Sequence, residues 1–375
     1  MSDSLRVIIG ITSSSWGGNE KWASVAAVGL TQRGHNVSVF YTHEPVRAEL
    51  ARCGIPHDLV RLWGDLNPFG FHSLIRLFRR ERPDAVILTK QREYWMGGIA
   101  ARRAGHPLVA LRLGLRRRLV EDNKRRKVFG SLSDLVIVNS DVIRDELALT
   151  PWFDVSKVRV LHNGVSSDPA DPGAGRAAFR ELGVPGGARV ICGAGRLTNQ
   201  KGFDHLIDAF AEVAAEREDV HLVILGEGGK REELEARARA SGVDDRIHLV
   251  GHREDVRDII AAVDIYALSS VNEGMANTLL EAMSVGAPIV ATEVSGTAEA
   301  VTDGVEALVV PPADVAALSN ALARLLEDSE LARRTGAAAM ARAASDFSVD
   351  RMITELETIL RNGIQNKRRS RRARS

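Results

Sequence analysis

The sequence predicts an α/β protein built from two Rossmann-like, doubly wound domains that face each other across a cleft. Its 375 residues suit two domains of roughly 150 residues better than one. Short β-branched runs alternate with helical stretches rich in Ala, Leu and Arg, as in a parallel sheet covered by helices on both faces. The alternation stops at Asn163–Gly175, where Asp, Pro and Gly cluster, and then restarts at Val190–Gly193.

The restart divides the chain into four predicted segments. They are an amino-terminal Rossmann-like domain over residues 1–165, a carboxy-terminal Rossmann-like domain over residues 166–347, a helix over residues 348–365 that packs back toward the first domain, and a disordered basic tail over residues 366–375. The tail holds six basic residues and no acidic ones, without apolar periodicity. Such a segment has no apolar face to bury, which is the basis for expecting disorder.

The net charge of +1 conceals an uneven distribution. Residues 1–167 hold 25 Lys and Arg against 16 Asp and Glu, whereas residues 168–365 hold 19 against 33. The excess in the first half and the tail is either a solvated surface or a face that meets an anionic partner or membrane surface. No nucleic-acid-binding motif accompanies it, so no nucleic-acid partner is expected.

Location is predicted from what the sequence lacks. No apolar run approaches the roughly 18 residues of a membrane span. Residues 1–10 carry a strand pattern in place of a signal peptide. Cys53 and Cys192 are too few for a disulfide framework. We therefore expect a cytoplasmic protein, and peripheral attachment to the inner face of the membrane stays open.

The segment Gly193–Gly202 follows a predicted strand and precedes a predicted helix. Its glycines let the backbone approach a ligand closely. Arg196 can grip a diphosphate with its forked guanidinium, and Lys201 can add a point charge. The alternative is a plain strand-to-helix turn with two solvated cations, because the Gly-Lys-Ser/Thr ending of a P-loop is missing.

The segment Ser269–Met283 carries two glutamates. A helix that begins near Ala276 would turn its N-terminal amides toward a diphosphate. Glu273 would then lie in the loop before the helix and Glu281 inside it, on the order of 10 Å apart at about 1.5 Å per helical residue. One carboxylate could hold a ribose and the other a sugar on the far side of the diphosphate. For either acid alone, a surface carboxylate is the alternative.

Taken together, these segments resemble the family-four retaining glycosyltransferases, whose two-domain architecture is called GT-B. The resemblance covers most of the chain and is densest from Val190 to Pro312. It rests on Gly195-Arg196-Leu197 with Lys201-Gly202, on two glutamates with seven residues between them, and on Gly286–Thr292, Asp303-Gly304 and Leu308–Pro312.

The resemblance implies a nucleotide-sugar-binding second domain and an acceptor-side first domain. Arg196 and Lys201 would neutralise the leaving diphosphate, while Glu273 would contact the transferred sugar. The implied catalytic residues are Arg196, Lys201 and Glu273. The implied donor-binding residues are Gly17, Gly18, Gly195, His252, Arg253, Gly274, Met275, Ala276, Asn277, Thr278 and Glu281. Among these, Glu281 would hold the ribose, and His252 and Arg253 would border the base.

The first domain carries weaker signals. Ser13–Glu20 resembles the family's glycine loop, although a plain turn fits it as well. Arg112 stands where many relatives have a histidine that contacts the donor sugar, which indicates either a nearby anionic group or a structural salt bridge. The acceptor-side candidates are Lys90, Arg92 and Arg112, with Arg116–Arg118 as a further basic stretch.

The predicted function is a retaining glycosyltransferase of the hexosyltransferase type, with a UDP-sugar or GDP-sugar as donor. A glycan or lipid-linked acceptor, such as a cell-envelope polysaccharide precursor, is expected. No cofactor is expected, and no metal either, because the sequence has no Asp-x-Asp and no histidine at metal-ligand spacing. Two rival hypotheses are a nucleotide-sugar epimerase on the same architecture and a non-catalytic nucleotide-sugar-binding protein.

Overall fold

The computed structural model describes residues 4–13, 17–62, 67–114 and 121–373. The chain divides into two compact units. The first combines Met1–Gly164 with Val349–Ser375, and the second is Val165–Ser348. Within the described residues, no helix is both long and apolar enough to cross a bilayer.

The strands form one parallel sheet in each unit. In chain order they are β1 Arg6–Ile11, β2 Asn36–Tyr41, β3 His57–Leu59, β4 Ala85–Leu88, β5 Leu108–Leu113, β6 Leu135–Val138, β7 Val158–Val160, β8 Arg189–Ala194, β9 Val220–Leu225, β10 Ile247–Gly251, β11 Ile265–Leu268, β12 Ile289–Thr292 and β13 Leu308–Val310. The first sheet has the order β3-β2-β1-β4-β5-β6-β7 and the second the order β10-β9-β8-β11-β12-β13.

Helices connect the strands and cover the sheets. They are α1 Gly18–Gln32, α2 Glu44–Arg52, α3 Pro68–Glu81, α4 Gln91–Arg103, α5 Asn123–Lys127, α6 Asp141–Ala148, α7 Pro172–Glu181, α8 Phe203–Glu216, α9 Arg231–Ala240, α10 Val256–Ile260, α11 Asn277–Ser284, α12 Ser295–Ala300, α13 Val315–Glu327, α14 Ser329–Asp346 and α15 Val349–Arg372. The predicted α/β class with two parallel sheets is confirmed.

Each sheet is buried on both faces, which explains its apolar strands. In β1, Val7 and Ile9 pack into one apolar cluster with residues of α1 and α15. Ile8, between them, points to the other face and packs with residues of α3 and α4. Successive side chains of a strand point to opposite faces, so a continuous apolar run serves both cores.

The helix α15 returns to the first unit and packs on α1 and the sheet. A Cβ added to Gly29 of α1 would lie 2.5 Å from Cγ1 of Ile353, and one added to Gly363 would lie 2.8 Å from Leu135. At both crossings a larger residue would require the facing side chains to shift. The helix is therefore an integral layer of the first unit.

The structure continues α15 through residues 366–372 and so corrects the expectation of a disordered tail there. Nζ of Lys367 donates to the carbonyl of Pro107 at 2.7 Å and to Oδ2 of Asp134 at 2.5 Å. Arg368 pairs with Asp84 at 3.4 Å. These polar contacts hold the last turns against the amino-terminal ends of β4, β5 and β6, where apolar periodicity gave no signal.

A hydrogen-bonded histidine pair joins two strands of the second unit. Nδ1 of His221 in β9 lies 3.1 Å from Nε2 of His248 in β10, and the rings are 16° from parallel. Such a bond requires a protonated nitrogen on one ring and a bare nitrogen on the other. Burial lowers the pKa of both imidazoles, and the charge of Arg246 lowers that of His221 further.

We predict that this pair makes stability depend on pH. Because each folded-state pKa lies below the unfolded value of about 6.5, the unfolded chain binds more protons as pH falls past that value. The pair's contribution to the free energy of unfolding is complete above about pH 6.5 and is lost below it. Urea unfolding at several pH values should show that the free energy of unfolding falls less steeply with decreasing pH in His248→Phe than in the wild type.

The control is Gly187→Ala in the same unit, which changes no titratable group and where an added Cβ meets nothing within 4 Å. It should keep the wild-type slope of unfolding free energy against pH. Equal slopes for His248→Phe and the wild type would contradict the prediction.

Candidate active site

The second sheet reverses its strand order between β8 and β11. From β8 the chain continues to β9 on one side, whereas from β11 it continues to β12 on the other. The loops after these two strands therefore diverge and leave a crevice at the carboxyl ends of the strands, where ligands of open α/β sheets bind. Both sequence motifs of the second unit begin in these loops.

The two loops touch through their backbones. A Cβ on Gly202, which has φ of +59°, would overlap the carbonyl oxygen of Ser269. The Ser269 hydroxyl donates to the carbonyl of Lys201 at 3.0 Å, and the amide of Val271 donates to the carbonyl of Gln200 at 2.9 Å. A glycine is required at position 202 both by this contact and by its left-handed backbone.

At the junction of the loops, Nζ of Lys201 forms an ion pair with Oε1 of Glu273. The side chains are only 14% and 9% exposed, so the pair is poorly screened by water. The aliphatic part of Lys201 crosses Gly195, where an added Cβ would lie 2.7 Å from Cε of the lysine. Ser270 donates to the same glutamate oxygen at 3.3 Å. The Lys201 ammonium thus lies beside the Glu273 carboxylate, which can accept hydrogen bonds from hydroxyl groups.

The helix α11 begins next to this pair, as the sequence predicts. Gly274, Met275 and Ala276 are buried in the loop that leads into it, and Ala276 occupies the N-cap without a side-chain hydrogen bond. A Cβ on Gly296 of α12 would overlap the carbonyl of Gly274. The loop is thus fixed from behind, and the positive end of the helix dipole lies at the crevice.

Glu281 is buried within α11, at 4% exposure, as the sequence places it. Thr278, in the first turn, donates to the carbonyl of Ala194 at 3.3 Å. Tyr266 of β11 is fully buried, and the pKa of its hydroxyl is raised by this burial and, to a lesser extent, by Cys192, Glu281 and Glu273. The phenol therefore stays protonated.

The other second-unit candidates lie outside this cluster. Arg196 and His252 are exposed. Arg253 grips Asp255 with two hydrogen bonds of 2.8 and 2.5 Å, and this bonding raises the arginine pKa. Among the described residues, no contact joins these three candidates to Lys201.

In the first unit, the order reverses between β1 and β4. Gly17 is the N-cap of α1 and Gly18 its first residue. A Cβ on Gly17 would lie 3.2 Å from Oε2 of Glu20, which is buried. Nζ of Lys90, just after β4, lies 3.1 Å from the other oxygen of Glu20. Residues 14–16 of the predicted glycine loop lie outside the described residues.

The remaining acceptor-side candidates differ in exposure. Arg92 is exposed and donates to the carbonyl of Leu62 at 3.2 Å. Arg112 is only 3% exposed, and its guanidinium bonds the amide oxygens of Asn19 and Asn163. These hydrogen-bond partners are neutral, while the negative charge of buried Glu20 also acts on the guanidinium. Contact of Arg112 with an acceptor stays a prediction. The stretch 116–118 lies outside the described residues.

Two family models match the chain. The model described as "Glycosyltransferase Family 4" matches residues 16–169, and that described as "Glycosyl transferases group 1" matches residues 188–328. A D-inositol 3-phosphate glycosyltransferase of Streptomyces scabiei is 30% identical over 303 residues, which cover 73% of this chain and 68% of that protein. The chain belongs to the group 1 glycosyltransferases.

Further relatives of this glycosyltransferase agree with that assignment. The lipopolysaccharide core biosynthesis glycosyltransferase LpsE of Rhizobium meliloti is 28% identical, over 68% of this chain and 69% of that protein. The crystal structure of Anabaena HepE in complex with UDP and glucose has a TM-score of 0.85 at 22% identity, covering 96% of this chain and all of that one. This likeness shows that the glycosyltransferase has the GT-B fold.

Several residues that shape the two crevices of the glycosyltransferase escaped sequence analysis. Tyr266 belongs to an apolar strand run, where nothing in the sequence distinguishes its hydroxyl from the rest of the core. Thr292 ends β12 and donates to the carbonyls of Leu268 and Ser270 at 3.2 and 2.5 Å. Glu93 accepts the backbone amides of Thr12 and Thr89 at 2.7 and 2.6 Å. It lies three residues after the N-cap of α4, but that N-cap is Lys90 and not the Ser or Thr of a capping-box signature, so the sequence did not mark it.

We predict that Gly202→Ala separates the two loops of the second crevice. The new methyl group overlaps the Ser269 carbonyl and imposes a strained left-handed backbone, at a cost of about 1–3 kcal/mol. Thermal unfolding should show lower stability, and nucleoside diphosphate binding by calorimetry should weaken. Gly187→Ala, where an added Cβ meets nothing within 4 Å, is the control. Wild-type stability and nucleotide binding in Gly202→Ala would show that the close approach of Gly202 to Ser269 is not required.

Proposed function

We propose that this glycosyltransferase moves a hexose from a nucleotide-diphosphate donor to a glycan or lipid-linked acceptor, with retention of anomeric configuration. The observation that carries the proposal is the nearly buried Lys201–Glu273 pair beside the start of α11. Diphosphate oxygens would bind the ammonium and helix dipole, and sugar hydroxyls would donate to the carboxylate.

The chemical step depends on stabilising the leaving group. The bond from the anomeric carbon to the diphosphate oxygen breaks, and a bond to the acceptor oxygen forms on the same face of the sugar. The proton of the acceptor hydroxyl passes to an oxygen of the departing phosphate. Arg196 and Lys201 meet the charge that grows on the diphosphate, and such electrostatic stabilisation supplies most of the rate.

The remaining residues hold the donor. Glu281 binds the ribose, Glu273 contacts the transferred sugar, and the backbone of residues 274–278 binds the sugar and phosphates. His252 and Arg253 border the base. In this arrangement Asp255 fixes the guanidinium of Arg253 through the two hydrogen bonds described above.

Relatives support the class of substrates. HepE has been crystallised with UDP-glucose, and LpsE is named for lipopolysaccharide core biosynthesis. A UDP-sugar donor and a cell-envelope glycan acceptor are therefore the first to test, with GDP-sugars as the comparison.

The test is a screen of UDP- and GDP-sugars for release of nucleoside diphosphate with and without candidate acceptors, followed by product stereochemistry. Release that depends on acceptor, with an α-linked product from an α-linked donor, supports the proposal. Conversion of donor without acceptor indicates an epimerase. Donor binding without turnover under all conditions indicates a binding protein, and an inverted product overturns retention.

We predict that Lys201→Met lowers kcat by about 100-fold or more, because a contact to charge that develops in the transition state contributes roughly 2.7–4 kcal/mol. Glu273→Gln should also lower kcat, by misplacing the sugar. Glu281→Gln should chiefly raise the donor KM through weaker ribose contacts. Steady-state kinetics measure all three variants, and calorimetry measures their donor affinity.

The exposed ion pair Arg333–Glu330 on α14 provides the control Arg333→Met, with wild-type kinetics expected. Unchanged kcat in a folded Lys201→Met variant would remove the lysine from leaving-group stabilisation. Identical kinetic profiles for the two glutamate variants would abolish their division of roles.

We also propose that the basic first unit holds the enzyme at an anionic membrane surface. Lys367 and Arg368 are engaged by Asp134 and Asp84, and the exposed Arg369 and Arg371 add positive charge beyond them. Each cation near such a surface contributes about 1 kcal/mol, within a Debye length of about 8 Å.

The prediction is peripheral, salt-sensitive binding to phosphatidylserine vesicles in sedimentation assays. Changing Arg369 and Arg371 together to Gln should weaken binding while the contacts of Lys367 keep α15 in place. Neutral phosphatidylcholine vesicles are the control and should not bind. Absence of binding by the wild type at low salt would reject the membrane proposal and favour an acceptor in solution.

A further inference from the structure

Arg112 is a cation enclosed inside the first unit. It lies near the end of β5 and is 3% exposed. One guanidinium nitrogen bonds Oδ1 of Asn19, and the other bonds Oδ1 of Asn163 at 2.7 Å. The guanidinium carbon lies 4.1 Å from the ring centroid of Trp22. The two amide oxygens and the aromatic face together require a planar fork, which lysine does not offer.

The partners of Arg112 come from separate parts of the chain. Asn19 and Trp22 lie in the first turns of α1, directly after Gly17 and Gly18. Asn163 is the residue before Gly164, where the amino-terminal segment of the first unit ends. Arg112 therefore connects the start of α1 to the end of that segment.

Further contacts extend the same cluster to the loop after β4. Nδ2 of Asn19 donates to the carbonyl of Thr89 at 3.0 Å. Buried Glu93 binds the amides of Thr89 and Thr12, and Thr12 directly follows β1. The loops on both sides of the strand-order reversal are thus held to one another, and Asn19 links them to Arg112.

We propose that Arg112 is a positioning residue that fixes the Gly17–Gly18 turn by clamping the start of α1 to Asn163. It acts through these contacts and does not touch the acceptor. The inference rests on the proposed function in one respect, because the position of the glycine turn affects the rate only if that turn faces the reacting groups.

The first experiment compares Arg112→Lys with the wild type by steady-state kinetics and hydrogen exchange. The lysine keeps a positive charge but loses the fork. We expect kcat to fall about tenfold or more through misplacement, with donor affinity within twofold of the wild type. The amides of residues 17–24 should exchange faster, while those of α11 in the second unit should not change. Arg47→Met, which removes a surface pair with Glu44, is the control for loss of an arginine.

A second experiment tests the route through Asn163. Asn163→Ala should reproduce the loss of kcat, and the double variant Arg112→Met/Asn163→Ala should be no worse than Arg112→Met. Additive losses would overturn the clamp. Wild-type rates of hydrogen exchange at residues 17–24 in Arg112→Lys would also overturn it. A rise in acceptor KM alone would overturn it as well, because that result indicates direct contact between Arg112 and the acceptor. If Arg112→Met does not fold, Arg112→Lys and Asn163→Ala still test the positioning role.

Failure of the proposed function has a different signature. In that case no nucleotide sugar gives acceptor-dependent turnover with the wild type, while hydrogen exchange still reports whether Arg112 fixes residues 17–24. Turnover by the wild type together with unaltered exchange and kcat in Arg112→Lys rejects the positioning role alone.

Discussion

The reversal of strand order in each parallel sheet is the constraint on which both candidate sites depend. Connections between parallel strands are right-handed, so a chain that first adds strands in one direction and then in the other places helices on both faces. At the reversal, two adjacent strands send their following loops apart. In the second sheet these are β8 and β11, and the strongest sequence motifs follow them.

Divergent loops leave space for a ligand, but a charged site also requires that the loops be held close to one another. Here the glycines supply close backbone approach, with Gly202 against Ser269 and Gly296 against Gly274. Side-chain hydroxyls then bind the loop carbonyls, as Thr292 does for Ser270. The ion pair sits on a framework of backbone contacts, which is why its geometry depends on residues that carry no charge.

Sequence analysis predicted the fold class, and the positions of both glutamates relative to α11, because those features leave local patterns. Alternating strand and helix signals located the sheets, and Glu273 and Glu281 appeared before and inside a helix as expected. The strand β3 consists of His57, Asp58 and Leu59 and lacks the β-branched run by which other strands were predicted. The bounds of the second unit differ by one residue at each end from the predicted 166–347.

What the sequence could not provide were contacts between distant segments. The burial of Arg112 depends on Asn19 and Asn163, 93 and 51 positions away, and a basic residue in isolation is more typical of a surface. The order of residues 366–372 depends on Asp84 and Asp134 in the same way. In both cases a polar partner across the fold decided the outcome, which periodicity does not report.

The pair of Lys201 with Glu273 also constrains how a donor could enter the second crevice. Removing one member of a buried pair without replacement costs about 3–5 kcal/mol. A diphosphate supplies a replacement anion for the lysine, and the sugar supplies hydroxyl donors for the glutamate. A free phosphate would satisfy only the lysine and leave the carboxylate without its cation. Under the proposed function, a ligand that carries both an anion and hydroxyl donors would compensate both members of the pair.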